Sequence, residues 1–446
     1  MSPEKQARKR YFLASLGCAK NTVDSESMSQ ILISAGFRAV DRAERADVLI
    51  VNTCGFIQQA REESLSILQD LAEHKKKNQV LIAAGCLPQR NREELLQRVP
   101  GLDGILSTRR WMDILNLLDR IRQGDPSPRY DLPPVQTVGT DEHGVLRAAI
   151  QGASAYLKIA DGCRRPCAFC SIPLIKGTAV SRPPEVIISE AVRLQEKGIK
   201  EIILIAQDTT DYGSDLGMKE GLAELLEGIT SAVPTIPWIR IMYAYPGFVT
   251  DRLIETMATH PQILPYLDIP LQHADPAVLL RMRRPANMEW VRSTLAKMRI
   301  SLPGLAIRST FIVGYPGETD QEFETLLEFI QEIRFDHLGA FTFSFEPGTT
   351  SEPLGDPIPP EMKAERMQRL MELQEGISLA KNQSFVGKSL DVLIEGEDNG
   401  ISIGRSYRDA PEIDGLVILE GVAATGSLVK ARITGAMVHD LTGQLI

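Results

Sequence analysis

The sequence predicts an α/β protein in three parts: an N-terminal doubly wound parallel α/β domain, a central partial (β/α)6 barrel and a C-terminal small antiparallel β-barrel. Three observations carry that expectation. Apolar runs rich in Val, Ile and Leu alternate with helix-period segments in two separate series, the pattern of parallel sheets covered on both faces. Residues 378–446 turn Gly-rich, with short alternating runs of the kind that build small barrels. The 446 residues also exceed what one core usually spans.

In the first series YFLASLG is followed by a helical pattern over 24–35, DVLIVNT by 56–74, VLIAAG by 92–99 and GILST by 111–122. This defines a domain over 8–124. The Pro- and Gly-rich stretch after it holds no sustained period and reads as a linker, set at 125–148. The second series has strands AYLKIA, EIILIAQ, WIRIMYA, LDIP, AIRSTFIVG and HLGAFTFS, with helices at 184–197, 222–233, 251–259, 288–298 and 321–333. Its six units fall short of the eight of a complete barrel, and catalytic groups belong at the strands' C-terminal ends. A helix over 361–379 completes this domain, 149–377. SLDVLIEG, GLVILEG and SLVKARITGAM then form the last, 378–446.

A hydrophobic fraction of 43% and a charged fraction of 24% are those of an ordinary globular protein. The longest apolar runs, such as 80–84 and 202–206, are far shorter than the ~20 residues of a spanning helix. No membrane association is therefore expected. MSPEKQARKR is not followed by a signal-peptide core, which predicts a cytoplasmic address. A net charge of −9 offers no general basic field to nucleic acid or anionic lipid. Six cysteines without an export signal point to metal ligation or catalysis before disulfides.

Cys163, Cys167 and Cys170 form Cys-x3-Cys-x2-Cys in DGCRRPCAFCSIP, just after the first strand of the second series. Three thiolates on one tight loop can hold three irons of a 4Fe–4S cluster and leave the fourth iron open to a reactant. Zinc is the alternative, but it wants four ligands, and His143 and His273 are remote in sequence. Three small buried hydrophobes are the bland reading. Cys18, Cys54 and Cys86 each end an apolar run of the first series. In a parallel sheet such ends share one edge, so these thiols can converge over a crevice. Isolated cysteines at strand ends also serve as core residues.

At these residues the sequence resembles the radical S-adenosylmethionine (SAM) superfamily. With Cys18, Cys54 and Cys86 it is similar to a methylthiotransferase of that superfamily. The likeness spans nearly the whole chain: an N-terminal methylthiotransferase domain, a partial radical SAM barrel and a C-terminal TRAM domain over the barrel opening. Phe169 matches the usual aromatic of the triad loop. One branch of the family modifies an adenosine of transfer RNA, the other an aspartate of the small-subunit ribosomal protein uS12. LIAQDTTDYGSD, WIRIMYAYP, LDIPLQHADPAVLLRMRRP and GRSYRDAPEIDG resemble the second branch. Lys176, Ala168 and Asp275 depart from the family pattern. The resemblance implies two 4Fe–4S clusters. The one on Cys163, Cys167 and Cys170 binds SAM and yields a 5'-deoxyadenosyl radical; the one on Cys18, Cys54 and Cys86 delivers methylated sulfur. An electron donor such as flavodoxin or ferredoxin is implied as well.

SAM contacts are expected at Phe169, at Gln207 and Asp208 after the second barrel strand, at Gln272 after the fourth, and at Arg308 on the fifth, whose guanidinium suits a carboxylate fork. GYPGE from Gly314 reads as a close-approach turn. His273 reads as a structural donor. Tyr407, Arg408, Glu412 and Asp414, placed in the first loop of the C-terminal barrel, are expected to touch the target. Over 378–446 six Lys and Arg stand against nine Asp and Glu. An RNA grip should be basic, whereas this acidity suits a basic partner such as a small-subunit ribosomal protein or the ribosome. Nucleic acid is not expected as the direct target. The rivals are a transfer-RNA adenosine methylthiotransferase and, in a different class, a non-catalytic iron–sulfur module at the ribosome.

Overall fold

The computed structural model describes residues 9–124, 130–131, 135–138 and 144–446. Most of the expected linker, 125–148, lies outside them. The first sheet is built from β1 (Arg10–Ser15), β2 (Arg38–Ala39), β3 (Val48–Thr53), β4 (Val80–Gly85), β5 (Gly104–Ser107) and β6 (Tyr130–Asp131). Its strands run parallel in the order β2-β1-β3-β4-β5-β6, which reverses between β1 and β3. Central β3 is buried at all six residues because helices cover both faces, hence its unbroken apolar reading. Two-residue β2 and β6 carry no period and were not expected. The first helix runs Ala19–Ser34, starting five residues before the expected 24–35, with Cys18 as its extended N-cap.

The central domain contains β7 (Ala148–Gln151), β8 (Ser154–Lys158), β9 (Ala160–Asp161), β10 (Val180–Ser181), β11 (Glu201–Ile205), β12 (Trp238–Ile241), β13 (Tyr266–Asp268), β14 (Ala306–Val313) and β15 (His337–Thr342). β8, β11 and β12 pair in parallel, as do β13, β14 and β15, and a lone parallel bridge between Ile239 and Ile263 links the two sets. These are the six expected barrel strands. Antiparallel β7 flanks β8, and the ring stays open beyond β15.

The last domain is a closed barrel of β16 (Ser389–Asp398), β17 (Ile401–Ser406), β18 (Val417–Glu420), β19 (Leu428–Ala436) and β20 (Leu441–Leu445), in the order β16-β17-β18-β20-β19. The expected all-antiparallel barrel needs one correction: β18 and β20 run parallel. Directions cannot alternate around a closed ring of five, so one pair must break the rule.

A buried charge cluster joins the first two domains. Asp24, on the first helix, accepts from Arg147 at 2.6 Å, Lys158 at 2.7 Å and Lys176 at 2.8 Å, and the same three cations reach Asp161 on the barrel. Burial alone would raise the Asp24 carboxyl, but the three cations hold it well below the ordinary range.

Candidate active site

The N-terminal cysteines converge because their strands do. Cys18 follows β1, Cys54 follows β3 and Cys86 follows β4, which are sheet neighbours whose C-terminal ends share one edge. Two glycines permit the close approach. Gly17 has φ +89°, and a Cβ there would lie 2.8 Å from the Cys54 Cβ. Gly85 has φ +100°, and its Cβ would meet Asn52 Oδ1 at 2.4 Å. Side-chain bonds hold the loops: Asn21 Nδ2 donates to the carbonyls of Leu16 (2.8 Å) and Thr53 (3.0 Å), and the Cys54 amide donates to Ser64 Oγ at 3.0 Å.

The barrel trio sits on the loop after β9. The Cys163 amide donates to the Gly177 carbonyl at 3.1 Å, and the Ala168 amide to that of Met282 at 2.8 Å. Arg284 approaches Cys167 Sγ at 3.5 Å while donating to the Pro270 carbonyl, and its guanidinium lies 4.2 Å over the Tyr245 ring. The Tyr245 hydroxyl is 3.7 Å from the same sulfur.

All six cysteines line one cavity of about 430 Å³, and none is in a disulfide. Lys20, Lys176, Arg165 and Arg284 line it too. Burial pushes the thiols of Cys86 and Cys170 up to about 12 and that of Cys163 up to about 11, and raises that of Cys54. Lys176 opposes the shift at Cys86, and Arg165 that at Cys163. Before they bind metal, these four thiols are therefore protonated at neutral pH, and iron must displace the protons. Two soft three-thiol donor sets in a cavity flanked by cations fit two anionic iron–sulfur clusters.

The other expected residues divide. Phe169, Gln207 and Gln272 line the cavity, and the Gln207 side-chain oxygen is buried without a hydrogen-bond partner among the described residues. Asp208 lies behind the wall, where it accepts from Arg165 and Thr210 at 2.6 Å. Arg308 does not reach the cavity. Its fork closes on Asp268 at 3.1 Å and on Asp414 at 3.2 Å, so its donors are used inside the chain. Gly314 approaches the Lys363 side chain instead of a ligand site. His273 is buried, and its Nδ1 accepts from the Asp275 amide at 3.0 Å, so the bond observed there makes it an acceptor instead of the expected donor.

The proposed target contacts sit at the other end of the barrel. Tyr407, Arg408, Glu412 and Asp414 lie in the β17–β18 connection, the second of that barrel, not its first. This segment packs against side chains near the N-terminal starts of the strands. Tyr266 donates to Asp414 at 2.7 Å, Arg240 to the Tyr407 carbonyl at 2.9 Å, and the Tyr407 hydroxyl to the Gly304 carbonyl at 2.8 Å. Arg408 is buried and donates to Asn382 at 3.1 Å; exposed Glu412 accepts from Gln151 at 3.0 Å. The TRAM-like module thus docks opposite the cysteine rim, not over it, and these polar groups fasten two domains.

Sequence reasoning missed Lys20, Arg165, Arg284, Tyr243 and Tyr245. Only adjacency to Cys18 and Cys163 marked the first two. Tyr243 and Gln272 have φ of +63° and +76°, strain that no sequence pattern announced. The departures are accounted for in part: Lys176 belongs to the buried charge cluster, and Asp275 caps helix Pro276–Arg281 through the amide of Ala277 at 2.8 Å.

Comparison with known proteins agrees with this anatomy. Residues 10–107 match an uncharacterized protein family, UPF0004, residues 157–330 the radical SAM superfamily, and residues 386–446 the TRAM domain. The chain is 45% identical to the ribosomal protein uS12 methylthiotransferase RimO of Roseiflexus sp. (strain RS-1), covering 98% of this chain and 97% of that protein. It is 46% identical to that of Chloroflexus aurantiacus, covering 98% and 100%. Among solved structures, the radical S-adenosylmethionine methyltransferase TsrM from Kitasatospora setae, with cobalamin and a [4Fe-4S] cluster bound, superposes with a TM-score of 0.56 at 13% identity, covering 98% of this chain and 88% of TsrM. That likeness concerns the fold alone. Identity above 40% over almost the full length, with the three matched domains in order, means that this chain belongs to the RimO family of radical SAM methylthiotransferases.

Proposed function

We propose that this chain attaches a methylthio group to the Cβ of an aspartate in ribosomal protein uS12, and the observation that carries this reading is the single cavity onto which both cysteine trios open. The RimO relatives, 43–46% identical, favour uS12 over transfer RNA as target. Cys163, Cys167 and Cys170 hold one [4Fe-4S] cluster, and Cys18, Cys54 and Cys86 the other. Each set leaves one iron open. When bound, the clusters and SAM supply the radical that removes an unactivated Cβ hydrogen and the methylated sulfur that replaces it.

The protein's own part is placement and protection. The charge cluster around Asp24 and Asp161 fixes the N-terminal domain against the barrel and so sets the separation of the two trios. Arg284 holds the Cys167 loop to the Pro270 carbonyl and puts positive charge beside the sulfur. Phe169, Gln207 and Gln272 form the wall on which SAM is expected to rest. A cytoplasmic setting and a small reductant such as flavodoxin or ferredoxin complete the reading. Among the described residues no helix is long and apolar enough to cross a membrane.

The test is anaerobic reconstitution with iron and sulfide, then incubation with SAM, reductant and either uS12 or transfer RNA. About eight irons per chain and a methylthio increment on one uS12 aspartate are expected. Methylthio-adenosine as the sole product would reject the proposed target. Absence of 5'-deoxyadenosine would leave only a binding module.

A further inference from the structure

Two cations of the six-cysteine cavity, Lys20 and Arg284, have no carboxylate partner among the described residues; Arg284 donates to the Pro270 carbonyl, whereas Lys20 donates to nothing. Lys20 stands two residues after Cys18, in the first turn of helix Ala19–Ser34, and its side chain is buried yet lines the cavity. Its ammonium lies 3.0 Å from the centroid of the Tyr243 ring, on the barrel side. Among the described residues it has no hydrogen-bond or ion-pair partner. The other buried lysines here differ: Lys158 holds Asp24 at 2.7 Å, and Lys176 holds it at 2.8 Å. Asp268, a nearby carboxylate, is taken by Arg308 at 3.1 Å.

A buried ammonium without a counter-charge is costly, and a fold that retains one gains by receiving an anion. We propose that Lys20 is the receptor for the side-chain carboxylate of the target aspartate. This rests on the function proposed above. The reacting Cβ is directly bonded to the carboxylate carbon, and the reaction leaves that carboxylate intact, so gripping it aims the Cβ–H bond. Lys20 comes from the N-terminal domain, next to Cys18, yet lies against a barrel tyrosine. It therefore stands where the two trios face each other. The SAM carboxylate presents the same chemistry, but Arg284, which has no carboxylate partner among the described residues, already stands beside the barrel trio. The arrangement also selects against asparagine, which is isosteric but uncharged.

The test is a double cycle on the reconstituted holoenzyme, reading equilibrium binding of labelled uS12 by fluorescence anisotropy. Wild type, K20M and K20R are each titrated with uS12 and with uS12 whose target aspartate is asparagine. The asparagine change should weaken binding to wild type roughly tenfold or more and binding to K20M less than threefold, with K20R restoring most of the discrimination. Iron per chain and the Kd for SAM should hold at wild-type values in K20M. An equal asparagine effect in wild type and K20M overturns the proposal. So does a K20M defect confined to SAM, which would assign the ammonium to the SAM carboxylate, or a loss of iron, which would make it a counter-ion of the cluster. A wild-type holoenzyme that does not bind uS12 overturns the functional reading itself, and this proposal with it.

Discussion

The two ends of the central barrel differ in what they leave unmatched. Around the starts of the strands, charges are matched inside the chain: Glu201 is held by Arg240 at 2.7 Å and by Arg405 of the last domain at 2.6 Å, and Asp414 by Arg308 and Tyr266. At the strand C-termini charges are paired behind the wall, around Asp24, Asp161 and Asp208, but the cavity face carries no carboxylate among the described residues: thiols there are pushed up by burial, Lys20 faces it, and Tyr243 and Gln272 are held at positive φ. Cations without carboxylates line the face where chemistry is expected, and pairing across the far end supplies stability. The difference separates what assembles the molecule from what it does.

The comparison breaks most visibly at the cysteines. Cys163→Ala and Cys18→Ala should each lower iron from about eight to about four per chain. Cys163→Ala abolishes 5'-deoxyadenosine formation. Cys18→Ala retains it while methylthiolation falls below detection. Unchanged iron in Cys18→Ala would remove the N-terminal trio from the ligand set.

At the paired end, Glu201→Gln should leave iron content alone and cost stability. Glu201 is fully buried between two guanidinium groups, so its loss leaves buried Arg240 without a carboxylate and Arg405 with Glu395 alone, an effect of about 3 kcal/mol. A lowered first thermal transition in the variant, with iron retained, is the expected result; loss of iron would show that the two ends are coupled.

The same carboxylate gives a pH signature. Burial alone would raise its pKa, but Arg240 and Arg405 bring it down to about 2 from an ordinary 4.5. A depressed carboxyl stabilises the fold fully above its unfolded pKa and loses that contribution as pH falls toward the folded one. The stability gap between wild type and Glu201→Gln should therefore be constant from neutrality to about pH 5 and shrink between about 4.5 and 2. A gap that instead closes near neutrality would mean that another group is titrating.

Legibility in the sequence follows the same division. Cys163, Cys167 and Cys170 share one loop, and spacing alone exposes them. Cys18, Cys54 and Cys86 are dispersed, yet each ends an apolar strand, and the single edge of a parallel sheet brings them together. Lys20 and Arg284 were hidden because their significance depends on barrel residues remote in sequence, Tyr243 and Tyr245. Arg308 and Asp414 were read as ligand contacts because composition shows a charge but not its partner, and here the partners are each other. The parallel β18–β20 pair arises from ring closure, which strand patterns do not encode.

The smallest expected effect lies at the rim of the paired end. The Tyr407 hydroxyl donates to the Gly304 carbonyl at 2.8 Å, a contact between the last domain and the loop before β14 that water can reach. Tyr407→Phe keeps the ring, which packs against the buried cluster that includes Leu393 and Ala410, and removes only that donor. Water can satisfy the freed carbonyl, so the loss should be about 1 kcal/mol, well below that of Glu201→Gln, whose buried partners have no such recourse. Thermal unfolding of the two variants side by side measures the contrast. A Tyr407→Phe loss as large as that of Glu201→Gln would mean that fastening at this end depends on rim contacts as much as on buried charge.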